Sequence, residues 1–499
     1  MKKLFYSLLF LITASFTANA QSKIMQLKQK YNFMQQLQQH QNLESSTQKF
    51  GLKINPYWQD IDAPHTYNSF IPQIKVPCYG AVWARVNYDS VLFDANSIAH
   101  TKDNGKTWQL DSVTVPQGYA LGSISAIDGN VCYASIYHAS DGVGGGVYRT
   151  TDGATSWEKI GVGQLFADSN FIDFVYFFDA NNGIVVGDND KIDSTHLEIY
   201  TTADAGKTWS RVPAENIPPT ANAAESFPFN SYTAYKSSLW VKAVDSQGNL
   251  YLYRSDDLGK HWQLFPFNVP EFGFDFAFAD KQNGIAVGFP FDGNQSFEAV
   301  TNDGGETWIQ KTDFTGYVMG GFLTVIPGTH TYVSTLPGYT PVYGSSYSRD
   351  GGNSWKLIDT GLNAHHSAVA FLNPFNGWTG RAEIDDPNGG AFKWKYHISL
   401  DDKAVAITNE NNLTAVKINS GNPTISIYPN PAKNIIKVDG LDASLKTTLS
   451  LYNISGRLIE QAVTTNSSYA INLQKIPAGN YYIIIQTDKN LTTLKFIKE

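Results

Sequence analysis

Six copies of one eight-residue phrase, Ser/Thr-x-Asp-x-Gly-x-Thr/Ser-Trp, constrain this chain more than any other feature. They start at Thr101, Thr150, Thr202, Ser255, Thr301 and Ser348 and end on Trp108, Trp157, Trp209, Trp262, Trp308 and Trp355. Their aspartates, Asp103, Asp152, Asp204, Asp257, Asp303 and Asp350, follow one another at intervals of 46 to 53 residues. That period is the length of one four-stranded blade in a radial array, where each blade buries its faces against its neighbours. A faded seventh copy, Ser399-Leu-Asp401, lies 51 residues after Asp350 without its Gly and Trp. Seven blades are therefore expected in an all-β chain, followed by a small C-terminal β-sandwich.

The phrase reads as a turn. The carboxylate and the Ser/Thr hydroxyl can accept backbone N–H groups, and Gly supplies a positive φ. Trp then opens the next strand with a large ring to bury between blades. Ala154 replaces Gly in the second copy, which predicts an altered or mildly strained turn there. These residues resemble the Asp-box, or BNR, repeat of sialidases, xyloglucanase-type glycosidases, sortilin-like receptors and photosystem-assembly propellers. The resemblance implies a propeller over residues 76–408. It does not choose a function, because enzymes and non-enzymes share the box.

Net charge is −8, or −10 once Lys2 and Lys3 leave with a leader, which argues against nucleic acid or an anionic membrane as partner. Residues 1–20 read as a secretory signal: Lys2-Lys3, an apolar stretch from Leu4 to Phe16, and the small-residue site Ala18-Asn-Ala20. No later stretch is long and apolar enough to span a bilayer. Residues 21–75 form an N-terminal helical and irregular segment, with helical spacing over 24–50, and Phe50 to Ile54 is a candidate for the strand that closes the ring. Cys78 and Cys132 are the only cysteines; free thiols in separate strands are the expectation, and without clustered histidines they give no metal signature. No cofactor is expected, and a monomer is.

Three stretches, around Phe174 to Gly187, Phe274 to Gly288 and Ala368 to Gly380, each hold an apolar strand, a polar turn and a second strand. They read as the inner hairpin of a blade, strand A along the channel and then strand B, with the box joining strands C and D. Boxes and A–B turns then share the bottom rim, so the box aspartates are structural and ligands approach the top. Asp173, Asp275, His365 and His366 fall at the starts of A strands and Arg85 near an A-strand end. His138, Asp188, Arg381 and Glu383 fall at the ends of B strands. Asp173 and Asp275 interrupt apolar strands, which is costly unless each meets water or a partner. Paired acids could hydrolyse a glycoside, so Asp173, Asp275 and Glu383 are the catalytic candidates. Arg85, His138, Asp188, His365, His366 and Arg381 are the binding candidates. A sialidase is excluded by the arginines. Of seven, Arg149, Arg254 and Arg349 adjoin boxes, Arg211 follows a box Trp and Arg457 lies in another domain.

Residues 409–424 read as a linker, and 425–499 as a small β domain. Its stretches Ile425-Ser-Ile-Tyr-Pro-Asn-Pro431, Leu449-Ser-Leu-Tyr-Asn-Ile-Ser-Gly456-Arg457, Ile476-Pro-Ala-Gly479 and the closing Leu494-Lys-Phe-Ile-Lys498 closely resemble the type A C-terminal sorting domain of type IX secretion cargo. The resemblance implies a Bacteroidetes-like source, engagement of the type IX translocon, cleavage near the linker, and release or outer-membrane surface attachment. The function expected is a secreted or surface propeller binding an extracellular glycan or protein without catalysis. The alternative is a xyloglucanase-like glycoside hydrolase.

Overall fold

The computed structural model describes residues 58–61 and 69–499, apart from 89–95, 139–143, 167–170, 190–194, 227–231, 270–273, 289–295, 338–342, 361–363, 375, 382–389, 395, 398–404, 407–424, 454–457 and 488–490. The signal-like stretch, the helical spacing over 24–50, Phe50–Ile54, Glu383 and Ser399–Asp401 lie outside the described residues.

Seven antiparallel sheets follow the fifty-residue period. Blade 1 shows the pattern, with strand A at Ser69–Cys78, B at Ala81–Tyr88, C at Ser97–Thr101 and D at Gln109–Ser112, paired in that order. The remaining A strands are Tyr119–Ala126, Ile172–Phe177, Tyr232–Tyr235, Phe274–Phe278, Phe322–Val325 and His366–Asn373. Blade 4 has a fifth strand, Ala224–Ser226, which pairs with the far end of the same B strand. B strands such as Gly183–Gly187 and Gly284–Gly288 are buried along their whole length, because both faces meet neighbouring blades. Blade 1 begins earlier than the sequence suggests, and this moves Arg85 into strand B, opposite Gln73 of strand A. It is not at an A-strand end.

The ring closes by exchange between its ends. Trp58–Ile61 pairs with Ala391–Trp394 and so supplies strand D of blade 7. The closing strand thus begins four residues beyond Phe50–Ile54. With D taken from the N-terminal side, blade 7 needs no C–D turn, which accounts for the lost Gly and Trp of the seventh copy. A Trp at the start of strand D is nevertheless kept. Trp58 is buried, donates its indole N–H to Ser345 Oγ of blade 6 at 2.9 Å, and packs edge-on to Trp394 at 4.8 Å.

The C-terminal unit is a sandwich. One sheet orders Ser426–Tyr428, Ile435–Asp439 and Ser468–Asn472; the other orders Leu458–Thr464, Thr447–Asn453, Gly479–Gln486 and Leu491–Lys498. Ile436, Val438, Leu449, Leu451, Ile483, Ile485 and Phe496 fill its core in period-2 alternation. Cys78 and Cys132 are both free thiols, the second fully buried.

Candidate functional site

Each box folds the same way. In the fifth, the Thr301 hydroxyl donates to Asp303 Oδ1 at 2.7 Å and accepts the Gly305 N–H at 2.9 Å. Asp303 Oδ1 accepts the Thr307 N–H at 3.0 Å, and its Oδ2 accepts the Thr307 hydroxyl at 2.5 Å. Burial is the largest single influence on Asp303 and raises it, but these donors together outweigh it, favour the charged carboxylate and hold it at about 2; Asp103, Asp152 and Asp204 also sit at about 2. Two consecutive left-handed residues make the turn, such as Gly304 and Gly305. Ala154 adopts the same region at φ 69°, and its N–H still reaches the Thr150 hydroxyl at 3.0 Å. The Ala box therefore keeps the geometry and carries the steric cost of an L-residue in that region, rather than a rearranged turn.

Boxes and A–B turns share one rim. The Asn104 N–H donates to Gly80 O, Gly153 to Asn130 O, Ala205 to Asn181 O, Leu258 to Ser237 O and Gly304 to Gln282 O, each within one blade. Arginines before boxes brace the next blade: Arg149 Nη1 reaches Ala205 O at 3.1 Å, and Arg254 Nη1 reaches Gly304 O at 3.5 Å. The box Trp rings pack at blade boundaries. Trp355 of blade 6 donates its indole N–H to Glu298 Oε2 of blade 5 at 2.6 Å, and Trp108 of blade 1 meets Trp378 of blade 7 at 5.8 Å.

At the opposite end, most candidates are built into the wall. The channel-side edge of each A strand leaves amides without a strand partner, and side chains of the preceding blade supply acceptors. Gln73 Oε1 accepts the Ile124 N–H at 2.7 Å, Ser123 Oγ the Val175 N–H at 3.0 Å, and Ser125 Oγ the Phe177 N–H at 2.9 Å. Asp275 belongs to this series. Its Oδ2 accepts the Leu323 N–H of blade 6 at 2.8 Å and its Oδ1 the Phe276 N–H at 2.9 Å. Asp173 is fully buried at a bulge between Ile172 and Phe174. Arg85 is buried, and desolvation draws it down to about 10. His366 is buried, bonded to Asp359 Oδ2 at 2.7 Å; Asp359 in turn accepts the Ser345 hydroxyl that receives Trp58. That chain locks the closing strand. Arg381 lies over the Phe392 ring at 5.4 Å. The half-exposed candidates are His138, edge-on to Tyr119 at 5.0 Å, His365, stacked on Tyr343 at 4.7 Å, and Asp188.

Three residues escaped the sequence reading. Lys75 of blade 1 donates to the Tyr232 hydroxyl of blade 4 at 3.2 Å and lies 5.1 Å from that ring's centre, spanning the channel. Burial lowers Lys75 and the buried Lys242 to about 8 each, while it raises Asp275, which both amines oppose, to about 6. Lys75 in Ser69–Cys78 and Lys242 in Ser238–Asp245 interrupt largely apolar strands as Asp173 and Asp275 do, and the same test applied to cations finds them. Glu298 is the third. It is fully buried, with Oε1 lacking a hydrogen bond, and burial raises it to about 8.

Several solved structures are similar to this chain at low identity. YCF48 bound to D1 peptide is 16% identical, with 69% of this chain and 96% of that one covered and a TM-score of 0.45. The Hadza microbial sialidase Hz136 is 14% identical over 66% of this chain and 73% of that one, with a TM-score of 0.38. An ulvan lyase of polysaccharide lyase family PL25 is 10% identical over 68% and 95%, with a TM-score of 0.43. No curated protein matches the chain in sequence. Residues 426–499 match the secretion system C-terminal sorting domain. The chain is thus a seven-bladed Asp-box β-propeller that carries a type IX secretion sorting domain at its C-terminus.

Proposed function

We propose that this protein is a type IX cargo whose propeller works outside the cell by binding a glycan or a protein, without chemistry. One observation carries the choice of binding over hydrolysis: both carboxylate oxygens of Asp275 accept backbone amides, Phe276 within its own strand and Leu323 in the next blade. A general acid or nucleophile needs an oxygen aimed at substrate. The top rim supports binding, since Tyr119 with His138 in blade 2 and Tyr343 with His365 where blades 6 and 7 meet offer half-exposed flat rings. Such rings give contact area at low entropic cost.

Export and binding are tested separately. Removing residues 426–499 should leave the protein in the periplasm of a host with type IX secretion; normal appearance outside the cell would refute the export reading. For binding, the purified propeller is screened on immobilised polysaccharides and extracellular proteins. His138→Ala with His365→Ala should weaken any hit at least tenfold, while Asp204→Ala on the opposite rim leaves it unchanged. The reverse pattern would invert the assignment of faces.

A further inference from the structure

The sorting domain sits on one turn of the propeller. In Thr447–Asn453 the core takes Leu449 and Leu451, and period-2 alternation turns Ser450 and Tyr452 to the outer face of the four-stranded sheet. Register sets Gln461 and Ile484 beside Ser450, and Val463 and Gln486 beside Thr448, on that same face. The centre of the face is covered: Ser450, Tyr452, Ile484 and Gln486 are 1%, 2%, 1% and 6% exposed. Its margins are open, at Val463 (53%) and Ile497 (46%). The cover is the A–B turn of blade 6, between Phe322–Val325 and Tyr332–Leu336. The Tyr452 hydroxyl donates to Pro327 O, Ser450 Oγ to Gly328 O at 3.0 Å, and Gln461 Nε2 to the same carbonyl at 3.3 Å. In return the His330 N–H donates to Gln486 Oε1 at 3.1 Å.

This turn differs from its counterparts in blades 2, 3 and 5. There an aspartate, Asp128, Asp179 or Asp280, accepts two amides of its own turn. Blade 6 instead has Ile326-Pro-Gly-Thr329, closed by the Thr329 N–H on Ile326 O at 3.1 Å with Gly328 at φ 77°, as in a type II turn. With no carboxylate to desolvate, the turn can be covered at little cost. Gly328 is needed twice, for its positive φ and because a Cβ there would lie 1.6 Å from the Tyr452 hydroxyl. The two surfaces are thus fitted from both sides. We propose that this turn is a built seat that keeps residues 425–499 on the propeller after the chain is cut within 409–424. Side chains then join the two units as well as the linker does. The seat lies on the box rim, so the end that carries His138 and His365 stays open, and the proposal holds whatever that end binds.

The test uses the full-length protein with a protease recognition sequence placed within 409–424. After complete cutting, at tens of micromolar, sedimentation should show both pieces moving as one species with the mass of a single chain. Tyr452→Ala removes a side chain that points away from the sandwich core. It should weaken the hold about tenfold or more, for the lost bond and the lost ring, at an unchanged melting temperature. If that variant melts early, Gly328→Ala replaces it from the propeller side, with the same loss expected. Val463→Ser, on the same face but outside the seat, should hold within about twofold of the parent. Separation of the cut parent into two species overturns the proposal, as does a hold that survives both seat variants. Equal loss from Val463→Ser overturns the choice of seat, and a cut species with the mass of two chains means that the domain sits on another copy's propeller.

Discussion

Glu298 gives the sharpest test of how the blades are held together. It is fully buried between blades 5 and 6; its Oε2 takes the Trp355 indole N–H, and its Oε1 has no partner. Burial, more than the nearby Asp350 and Asp313, raises it from 4.5 to about 8, against the indole bond and Lys311, which lower it. A folded value above the unfolded one means that the proton-linked stability is full below about 4.5 and is lost as pH rises through about 8. At pH 7 the unfolded carboxyl ionises freely while the folded one keeps its proton, a difference on the order of 3 kcal/mol against folding. Glu298→Gln retains an oxygen for Trp355 and removes the titration. Thermal unfolding from pH 4.5 to 8 should show variant and parent alike at the acid end. The variant should gain roughly 4 °C near neutrality for a unit of this size. A gap that stays constant with pH, or a variant that melts lower at pH 8, would refute the reasoning.

Other perturbations follow from the same contacts. Asp303→Ala strands the Thr307 amide and hydroxyl and should cost about 1–3 kcal/mol in denaturant unfolding, with top-face binding unchanged. Asp103, Asp152, Asp204 and Asp303, each near 2 in the folded protein and 3.8 as the reference, contribute stability that is present above about pH 4 and lost as pH falls toward 2. An acid titration by circular dichroism should therefore show a falling melting temperature in that window. Trp58→Ala removes a buried ring and its bond to Ser345 from the closing strand, and should cost about 3–5 kcal/mol by denaturant midpoint.

The box phrase made the fold legible, because one turn chemistry repeated six times fixes both the blade period and the rim on which it sits. Ala154 shows its strength, since the turn survives loss of its glycine. The closing strand was harder to see. Trp58–Ile61 is four residues long, and its partner Ala391–Trp394 lies more than three hundred residues away, so no local pattern marks the pairing. Blade 1 was shifted for a related reason: Ser69–Cys78 contains Pro72 and Pro77, which read as breaks in a strand although its channel edge needs no partner strand. At the candidate site, sequence singled out Asp275 as a carboxylate that needs water or a partner. It could not show that the partner is an amide of the adjacent blade rather than a ligand. Arg85 and His366 look available in sequence yet are buried, Arg85 within strand B of blade 1 and His366 between Asp359 and the Trp58 ring.

The central claim is that the propeller binds outside the cell and leaves its ligand intact. The direct measurement incubates secreted protein with its retained polysaccharide or protein and follows the ligand's mass by mass spectrometry over many hours. The account predicts a ligand recovered at unchanged mass, with the same result for Asp173→Asn and Asp275→Asn variants that remain folded. Shortened products that accumulate with the parent and vanish with either variant would contradict it.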